Sequence, residues 1–421
     1  MSNVQSAENV YIQSLIVSSY NGKRFDITNV FVDFVMKEDM FTPTINGSVT
    51  VIDDNEHYEH LPIEGQERLF MKLETLEDLY DFEFYIYKIS NIEKENQRTS
   101  SYTLHFVSVE EMINESTRVR RSFGNMRYSS MVESILQTEI NTKKRVTVAR
   151  TLNDYTYIPP NTHPFETIRN LCNKSVSEES EQSNYVFFED RRGFLCGPIT
   201  EFASVGPKFK YRMNEYVGEE NPNTVIPFTD PLSILKFSVK KQTDTLEMAN
   251  EGIFSSRLQD IDILTRTIRN VDYNYFNEFK NRRHLNKFPI FQDLIRYEPN
   301  GNPFYAWSNE FSTQNEYIRQ REGNMNAELT SQVALRRRLQ LQSYNNNIFS
   351  ITIPGNIFLF VGDVIDIDMK IVINNELRRH RTLSGNTLIT SITHVITRGG
   401  KYYQRLETSK DSNIARLEVN L

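Results

Sequence analysis

Four features follow one another in the same order near both ends of this 421-residue chain, and they limit its possible folds more than its composition does. In the first copy a long strand-like segment, FDITNVFVDFVM (25–36), precedes a glycine-led segment ending in acids, GSVTVIDD (47–54). A glycine then opens EGQERLFMKL (64–73), and FYIYKISNI (84–92) turns back as YTLHFVS (102–108). In the second copy the series reads SILKFSVKKQTD (233–244), GIFSSRLQDID (252–262), VGDVIDIDM (361–369), and LITSITHVI (388–396) turning to YQRLETS (403–409). Gly65 then matches Gly362, and Ile86-Tyr87-Lys88-Ile89 aligns with Leu388-Ile389-Thr390-Ser391-Ile392. The expectation is a duplicated β unit.

Polarity within these segments has the strand period of two. In RLFMKLET, Leu69, Met71 and Leu73 share one face while Phe70, Lys72 and Glu74 share the other, the pattern of a half-buried antiparallel strand. The many Tyr and Phe residues (21 and 27) suit cross-strand aromatic pairs. From residue 108 the character changes. SVEEMINES and SSMVESILQTEI have helical spacing, RVTVART is strand-like, and IPPNTHPFETIRNLCNKSV starts a helix that Asn161 or Thr162 can cap and whose first turn tolerates Pro164. Phe165, Ile168, Leu171 and Cys172 form its apolar stripe, so Cys172 reads as a small buried hydrophobe. The polar run SVSEESEQSN is expected to be a mobile loop, and YVFFEDRRGFLCGPI a hairpin turning at Arg192-Gly193. Residues 108 to about 205 thus read as a small α+β module, and the whole chain as α+β, predominantly β. MNAELTSQVALRRRLQLQSY is helix-like, while 268–325 lacks clear periodicity.

Composition removes several function classes. A net charge of −7 argues against a protein that grips nucleic-acid phosphates. Two cysteines, Cys172 and Cys196, without a cysteine-rich pattern imply reduced thiols in a reducing compartment. No run approaches the roughly 18 apolar residues that span a bilayer, and the N-terminal segment lacks a basic stretch leading into an apolar one, so a soluble protein without stable membrane insertion is expected.

The segment TIPGNIFLFVGDVIDID (352–368) raises the question of a carboxylate site. Gly355 and Gly362 let the chain change direction, Val364, Ile365 and Ile367 pack, and Asp363, Asp366 and Asp368 lie on the wet side. No His/Asp/Glu constellation accompanies them, so neither a metal nor a catalytic role is expected. His57 and His60 in NEHYEHL stand beside Glu56 and Glu59 but lack third and fourth ligands nearby, which favours a solvated loop. The chain carries no G-x-S-x-G, H-E-x-x-H or Walker motif. The adjacent acids Glu178/Glu179 and Glu189/Asp190 do not face each other across a cleft as glycoside hydrolysis requires. We therefore expect no enzymatic activity and no cofactor. The basic clusters Arg118, Arg120, Arg121 and Arg336, Arg337, Arg338 suit ion pairs at subunit contacts better than a phosphate track. Trp307, with Phe304, Tyr305 and Phe311, suits packing or an interface anchor. The residues expected to matter are structural: Gly47, Gly65, Gly252, Gly355 and Gly362, with Asp262 marking the second repeat.

Several stretches resemble one family, the baseplate hub proteins of contractile-tailed, T-even-like bacteriophages and their relatives in contractile injection systems. They are FTPTINGSVTVIDDNEHYEHLPIEGQERLFMKLET (41–75), YIPPNTHPFETIRNL followed by YVFFEDRRGF (157–194), and GIFSSRLQDIDI (252–263). ALRRRLQLQSYNNNIFSITIPGNIFLFVGDVIDID (334–368) and LITSITHVITRGGKYYQRLETSKDS (388–412) continue the series in the family's order. The resemblance implies two repeated antiparallel β-barrel tube domains with small α/β insertions. Residues 1–110 would form the first, 228–268 with 340–410 the second, 111–227 and 269–339 the insertions, and 411–421 a tail. It further implies a homotrimer whose six tube domains form a ring in the virion tail baseplate, assembled in the host cytoplasm. Such a ring joins a threefold tail spike to a sixfold tail tube or tube initiator, and tape-measure and baseplate wedge proteins are further partners. DNA would pass its channel without specific binding, and an acidic wall would repel it.

Overall fold

The computed structural model describes residues 10–19, 22–53, 65–74, 79–94, 99–213, 230–262, 267–280, 282–290, 306–308, 330–373 and 376–416. The N-terminal part contributes β1 (Tyr11–Ser18), β2 (Arg24–Asp26), β3 (Phe31–Asp39), β4 (Asn46–Asp53), β5 (Arg68–Glu74), β6 (Leu79–Lys94) and β7 (Ser100–Ser108). The period of two places one face of each strand in a core. Phe34, Val49, Val51, Leu69, Met71, Phe84, Leu104 and Phe106 are buried there together, with Phe106 stacked 5.2 Å from Phe34 and tilted 4.6 Å from Phe84. Each such side chain adds about 1.5–3 kcal/mol through burial.

The module that follows comprises α1 (Val109–Ser116), β8 (Phe123–Met126), α2 (Tyr128–Thr138), β9 (Val146–Val148), β10 (Tyr155–Tyr157), α3 (Pro164–Cys172), β11 (Tyr185–Asp190), β12 (Gly193–Pro198) and α4 (Ile199–Ala203). The helices α2 and α3 close a separate core over the sheet β11-β12-β9, with Ile135, Leu136, Ile168, Leu171 and Cys172 inside it. Three details differ from the sequence reading. His163, not Asn161 or Thr162, occupies the N-cap of α3, and the free Phe165 N–H is met from another element by Asn114 Oδ1 at 2.8 Å. The hairpin turns at Arg191-Arg192, because Gly193 already pairs with Asp190. The polar run 175–184 is packed rather than loose: Ser177 and Ser180 both donate to Glu201 at 2.6 Å, and Ser183 and Asn184 are buried.

The C-terminal part contributes β13 (Phe209–Met213), β14 (Ser233–Ile234), β15 (Lys236–Lys241), α5 (Thr245–Asn250), β16 (Ser255–Asp262), β17 (Thr267–Asn274), α6 (Tyr275–Lys280), β18 (Phe288–Pro289) and β19 (Ala306–Ser308). It continues with α7 (Thr330–Tyr344), β20 (Ile348–Pro354), β21 (Val364–Asp368), β22 (Lys370–Ile373), β23 (Glu376–Arg379), β24 (Gly385–Thr397), β25 (Tyr402–Ser409) and β26 (Ser412–Asn413). Its core gathers Phe349, Ile351, Ile353, Ile365, Ile367, Leu388, Ile392 and Leu406.

Two sets of five strands share one arrangement. In the first, neighbours run β3-β4-β7-β6-β5; in the second they run β15-β20-β25-β24-β21, and every neighbouring pair in both is antiparallel. Taken in chain order, each set therefore has the order first, second, fifth, fourth, third. β1 then pairs antiparallel with β5, whereas β13 pairs parallel with β21. The second strand of the later set is β20, not GIFSSRLQDID: residues 255–262 pair with β17 and β19 in a separate sheet. Both segments alternate, so pattern alone did not separate them once a long insertion lay between the first and second strands.

The two sets join edge to edge. Ser391 to Thr397 of β24 pair antiparallel with Asp39 to Asp33 of β3, which makes one branched sheet of 14 strands among the described residues. The β-barrels expected from the resemblance are not closed among the described strands. Closure needs two partners for every strand, and β2 and β15 each have one.

Candidate functional site at the sheet junction

The seam between β24 and β3 contains a water-excluded polar network. Alternation turns Glu38 of β3 and His394 of β24 inward, and the tip of the β11–β12 hairpin delivers Arg191 between them. Glu38 and Arg191 have no exposed side-chain surface, and His394 has 3%. Arg191 Nε donates to Glu38 Oε1 at 2.7 Å, Nη1 donates to the Ile357 carbonyl at 3.0 Å, and Nη2 donates to the Leu359 carbonyl. The guanidinium also lies 4.8 Å from the centre of the Phe360 ring, which Arg192 and Lys208 approach to 4.3 and 5.1 Å.

The network continues across β24 and β25. His394 Nδ1 lies 2.9 Å from the Tyr402 hydroxyl, Gln404 Nε2 donates to that hydroxyl at 2.8 Å and to the Asn356 carbonyl at 3.0 Å, and Asn356 Nδ2 donates to the Tyr211 hydroxyl at 3.0 Å. His394 Nε2 stands 3.5 Å from Glu38 Oε1. Burial alone raises the Glu38 pKa, but the Arg191 charge and His394 outweigh it and hold the carboxyl below its ordinary value. Burial, then Arg191, lowers the His394 pKa against the pull of Glu38, so the imidazole stays neutral at pH 7. A buried guanidinium that satisfies a carboxylate and two carbonyls joins both strand sets and the module at one point.

A second point fixes the module to the first strand set. Lys144 Nζ donates to Glu110 Oε2 and Glu189 Oε1, each at 2.6 Å, while Glu189 Oε2 accepts from Ser108 Oγ at 2.6 Å and from the Ile45 N–H at 3.1 Å. Burial raises the Glu189 pKa against the Lys144 charge. The adjacent acids Glu189 and Asp190 thus face different partners, since Asp190 accepts from Arg192.

The aspartates of GDVIDID form ion pairs. Lys208 reaches Asp363 at 3.0 Å, Lys210 reaches Asp368 at 2.9 Å, and Arg379 binds Asp366 and lies 3.3 Å from Asp368. The lysines come from β13 and its approach, brought alongside by the parallel pairing with β21. Among the described residues no group of three or more His, Cys, Asp or Glu side chains is arranged to hold a metal. His57 and His60 lie outside the described residues.

The glycines sit at turns and close approaches. Gly362 (φ +90°) donates its N–H to the Ile389 carbonyl at 2.9 Å. A Cβ at Gly355 would overlap the Tyr402 ring, and one at Gly47 would overlap the Val35 carbonyl and the Phe106 ring. Gly65 and Gly252 also have positive φ, at +92° and +75°. Asp262 ends β16, opposite Thr267, outside the second set of five strands. Trp307 pairs with Arg257 through the backbone of β19; Phe304, Tyr305 and Phe311 lie outside the described residues.

Of the arginine clusters, Arg337 turns inward and donates to Asn173 Oδ1 at 3.0 Å and to the Ser183 and Tyr185 carbonyls, fastening α7 to the module. Its neighbour Arg338 is exposed and Arg336 half-buried. Arg118 donates to the Asn161 carbonyl, and Arg121 to Ser134. Sequence reasoning missed Glu38, Arg191 and His394. The one available signal was the paired arginine in EDRRGF, a charge too many for a simple hairpin turn.

The fold built around this seam is one found in tail proteins of known structure. The chain superposes on the tail protein from Neisseria meningitidis with a TM-score of 0.58 at 8% identity, over 94% of this chain and 96% of that one. It superposes on the 43 kDa tail protein of prophage MuSo2 from Shewanella oneidensis with a TM-score of 0.55 at 9% identity, over 94% and 98% of the two chains. No protein-family model matches the chain, and no curated protein matches it by sequence. At such identities the likeness establishes the fold.

Proposed function

We propose that the protein is a structural, non-enzymatic hub at the centre of the baseplate of a contractile tail or a related injection machine. The carrying observation is the edge-to-edge junction of two strand sets with the same internal order. Two like units set side by side in one chain make it half as symmetric as its parts, so a ring of three chains presents six near-equivalent units. Each set would then belong to one tube domain. Such a ring meets a threefold spike on one face and a sixfold tail tube on the other, and leaves a channel for DNA. The shared fold with two tail proteins supports the same reading, as does a net charge of −7 per chain, which suits a conduit that DNA crosses without sticking.

The test is class-averaged electron microscopy of the purified protein, with light scattering for mass. The expected result is a threefold ring with a pseudo-sixfold inner wall and the mass of three chains. A compact monomer at micromolar concentration, unchanged by addition of a candidate spike protein, overturns the proposal.

A further inference from the structure

The two cysteines of the chain meet in the core of the module. Cys172 is the last residue of α3, and Cys196 lies in β12, where it pairs with Phe187 of β11 and Val148 of β9. Packing of the helix over the sheet brings their Sγ atoms to 3.5 Å, and both are free thiols. A disulfide bond is about 2.05 Å long, so the sulfurs need to close by about 1.5 Å, which is within the swing of two side chains turning about their Cα–Cβ bonds.

The two thiols differ in access. A cleft of about 150 Å³ between the residues that follow β3 and the module is lined by Met40, Phe41, Cys172 and Arg337 among others, but not by Cys196. Phe41 is 56% exposed, so the cleft opens to solvent. A water molecule occupies about 30 Å³ of liquid, and the cleft therefore admits a molecule the size of hydrogen peroxide. Arg337 is held beside the pair by donating to Asn173 Oδ1 and to the Ser183 and Tyr185 carbonyls. The Cys196 thiol, and then the Arg337 charge, draw the Cys172 pKa below its ordinary value, while the same contact and burial push Cys196 up. Thiolate character thus falls to the sulfur that faces the cleft, which is the arrangement of an attacking thiol with a resolving thiol behind it.

We propose that Cys172 and Cys196 form an oxidation site for small hydroperoxides, closing into a disulfide that ties α3 to the sheet beneath it. The Cys172 thiolate attacks the peroxide: an S–O bond forms, the O–O bond breaks, and the departing oxygen takes up a proton, leaving a sulfenic acid. Cys196 then attacks the Cys172 sulfur: the S–S bond forms, the S–O bond breaks, and hydroxide leaves with the Cys196 proton as water. Two electrons pass from the sulfurs to the peroxide, which ends as an alcohol or water. A chain made in a reducing compartment keeps the pair as thiols and closes it on meeting peroxide. This chemistry belongs to the module and does not depend on the hub reading.

The test treats the reduced full-length chain with hydrogen peroxide while circular dichroism shows it folded, then unfolds it in urea with iodoacetamide and measures the intact mass. Expected is loss of both thiols together from most of the chain, with no gain of oxygen, a single-chain band on a non-reducing gel, and return of both thiols on adding dithiothreitol. In Cys196→Ala the reaction should stop at the sulfenic acid, captured on Cys172 by dimedone, whereas Cys196 in Cys172→Ala should stay unmodified. The proposal is overturned if both thiols of the parent still take up iodoacetamide, if Cys172 gains oxygen while Cys196 stays free, or if the bridge joins two chains. Dimedone capture at Cys196 in Cys172→Ala as fast as at Cys172 in Cys196→Ala overturns the assignment of Cys172 as the attacking thiol.

Discussion

Arg191 has the environment least tolerant of change. Its charge is fully buried, and from the module it satisfies one carboxylate of the first strand set and two carbonyls of the second. Removing one member of such a pair leaves the other charge buried and unmatched. Arg191→Ala is expected to destabilise the protein by about 3–5 kcal/mol, read by urea unfolding. The double variant Arg191→Met/Glu38→Leu should regain most of that loss, and failure to regain it would mean that the carbonyl bonds, rather than the Glu38 pairing, hold the seam. Protons act on the same network. Both Glu38 and His394 have folded pKa values lowered from their ordinary ones. As pH falls below about 6.5 the unfolded chain takes up a proton at His394 that the fold refuses, and below about 4.5 it takes up another at Glu38. Stability is thus full above pH 6.5 and is lost stepwise on acidification. The expected observation is a melting temperature falling from pH 7 to pH 5, with His394→Gln flattening that part of the profile. This site was illegible beforehand because an inward glutamate in FVDFVMKED alternates as a solvated one would, and its partners lie hundreds of residues away in sequence.

Among elements, glycines and strand order show what pattern reading catches. Gly355 and Gly362 were legible because an apolar run that changes direction needs residues without a Cβ. Gly355 meets this need through close approach of the Tyr402 ring, and Gly362 through its positive φ. Gly355→Ala is expected to cost about 1–3 kcal/mol, since the ring is pinned through its hydroxyl by Gln404 and His394 and has little room to yield. Calorimetry of this variant beside Gly124→Ala, where a Cβ meets nothing within 4 Å and φ is not positive, isolates the crowding. Near-equal losses would contradict the crowding account. The likeness of the two hairpins was legible in part: the aligned segments Ile86-Tyr87-Lys88-Ile89 and Leu388-Ile389-Thr390-Ser391-Ile392 each contain an irregularity in register. The identity of the second strand of the later set was not, because IFSITIP and SSRLQDID alternate alike and only long-range pairing tells them apart. Neither was the order of strands in the sheet, which depends on which edges meet in space rather than on any local pattern.

For the whole molecule, two like strand sets joined at one seam leave β15 with a single strand partner among the described residues, and assembly is expected to stabilise the chain. Anything that binds the folded chain alone raises its apparent stability by mass action, and copies of the chain are no exception. For a closed trimer each tenfold rise in protein concentration adds about 0.9 kcal/mol per chain. In a chain of 421 residues this corresponds to a melting temperature higher by about 1–2 °C. Scanning calorimetry across a hundredfold range of concentration should show that slope, and a flat line would mean that the chain unfolds as a monomer. Val239→Lys adds a fourth lysine to β15 at a position 40% exposed in the single chain. A further charge on an open edge opposes strand addition without disturbing the core beneath it. The variant should therefore keep the melting temperature that the parent reaches on dilution and lose its rise with concentration. A variant that melts lower at every concentration, with the slope intact, would place Val239 in the fold of the single chain and not in its assembly.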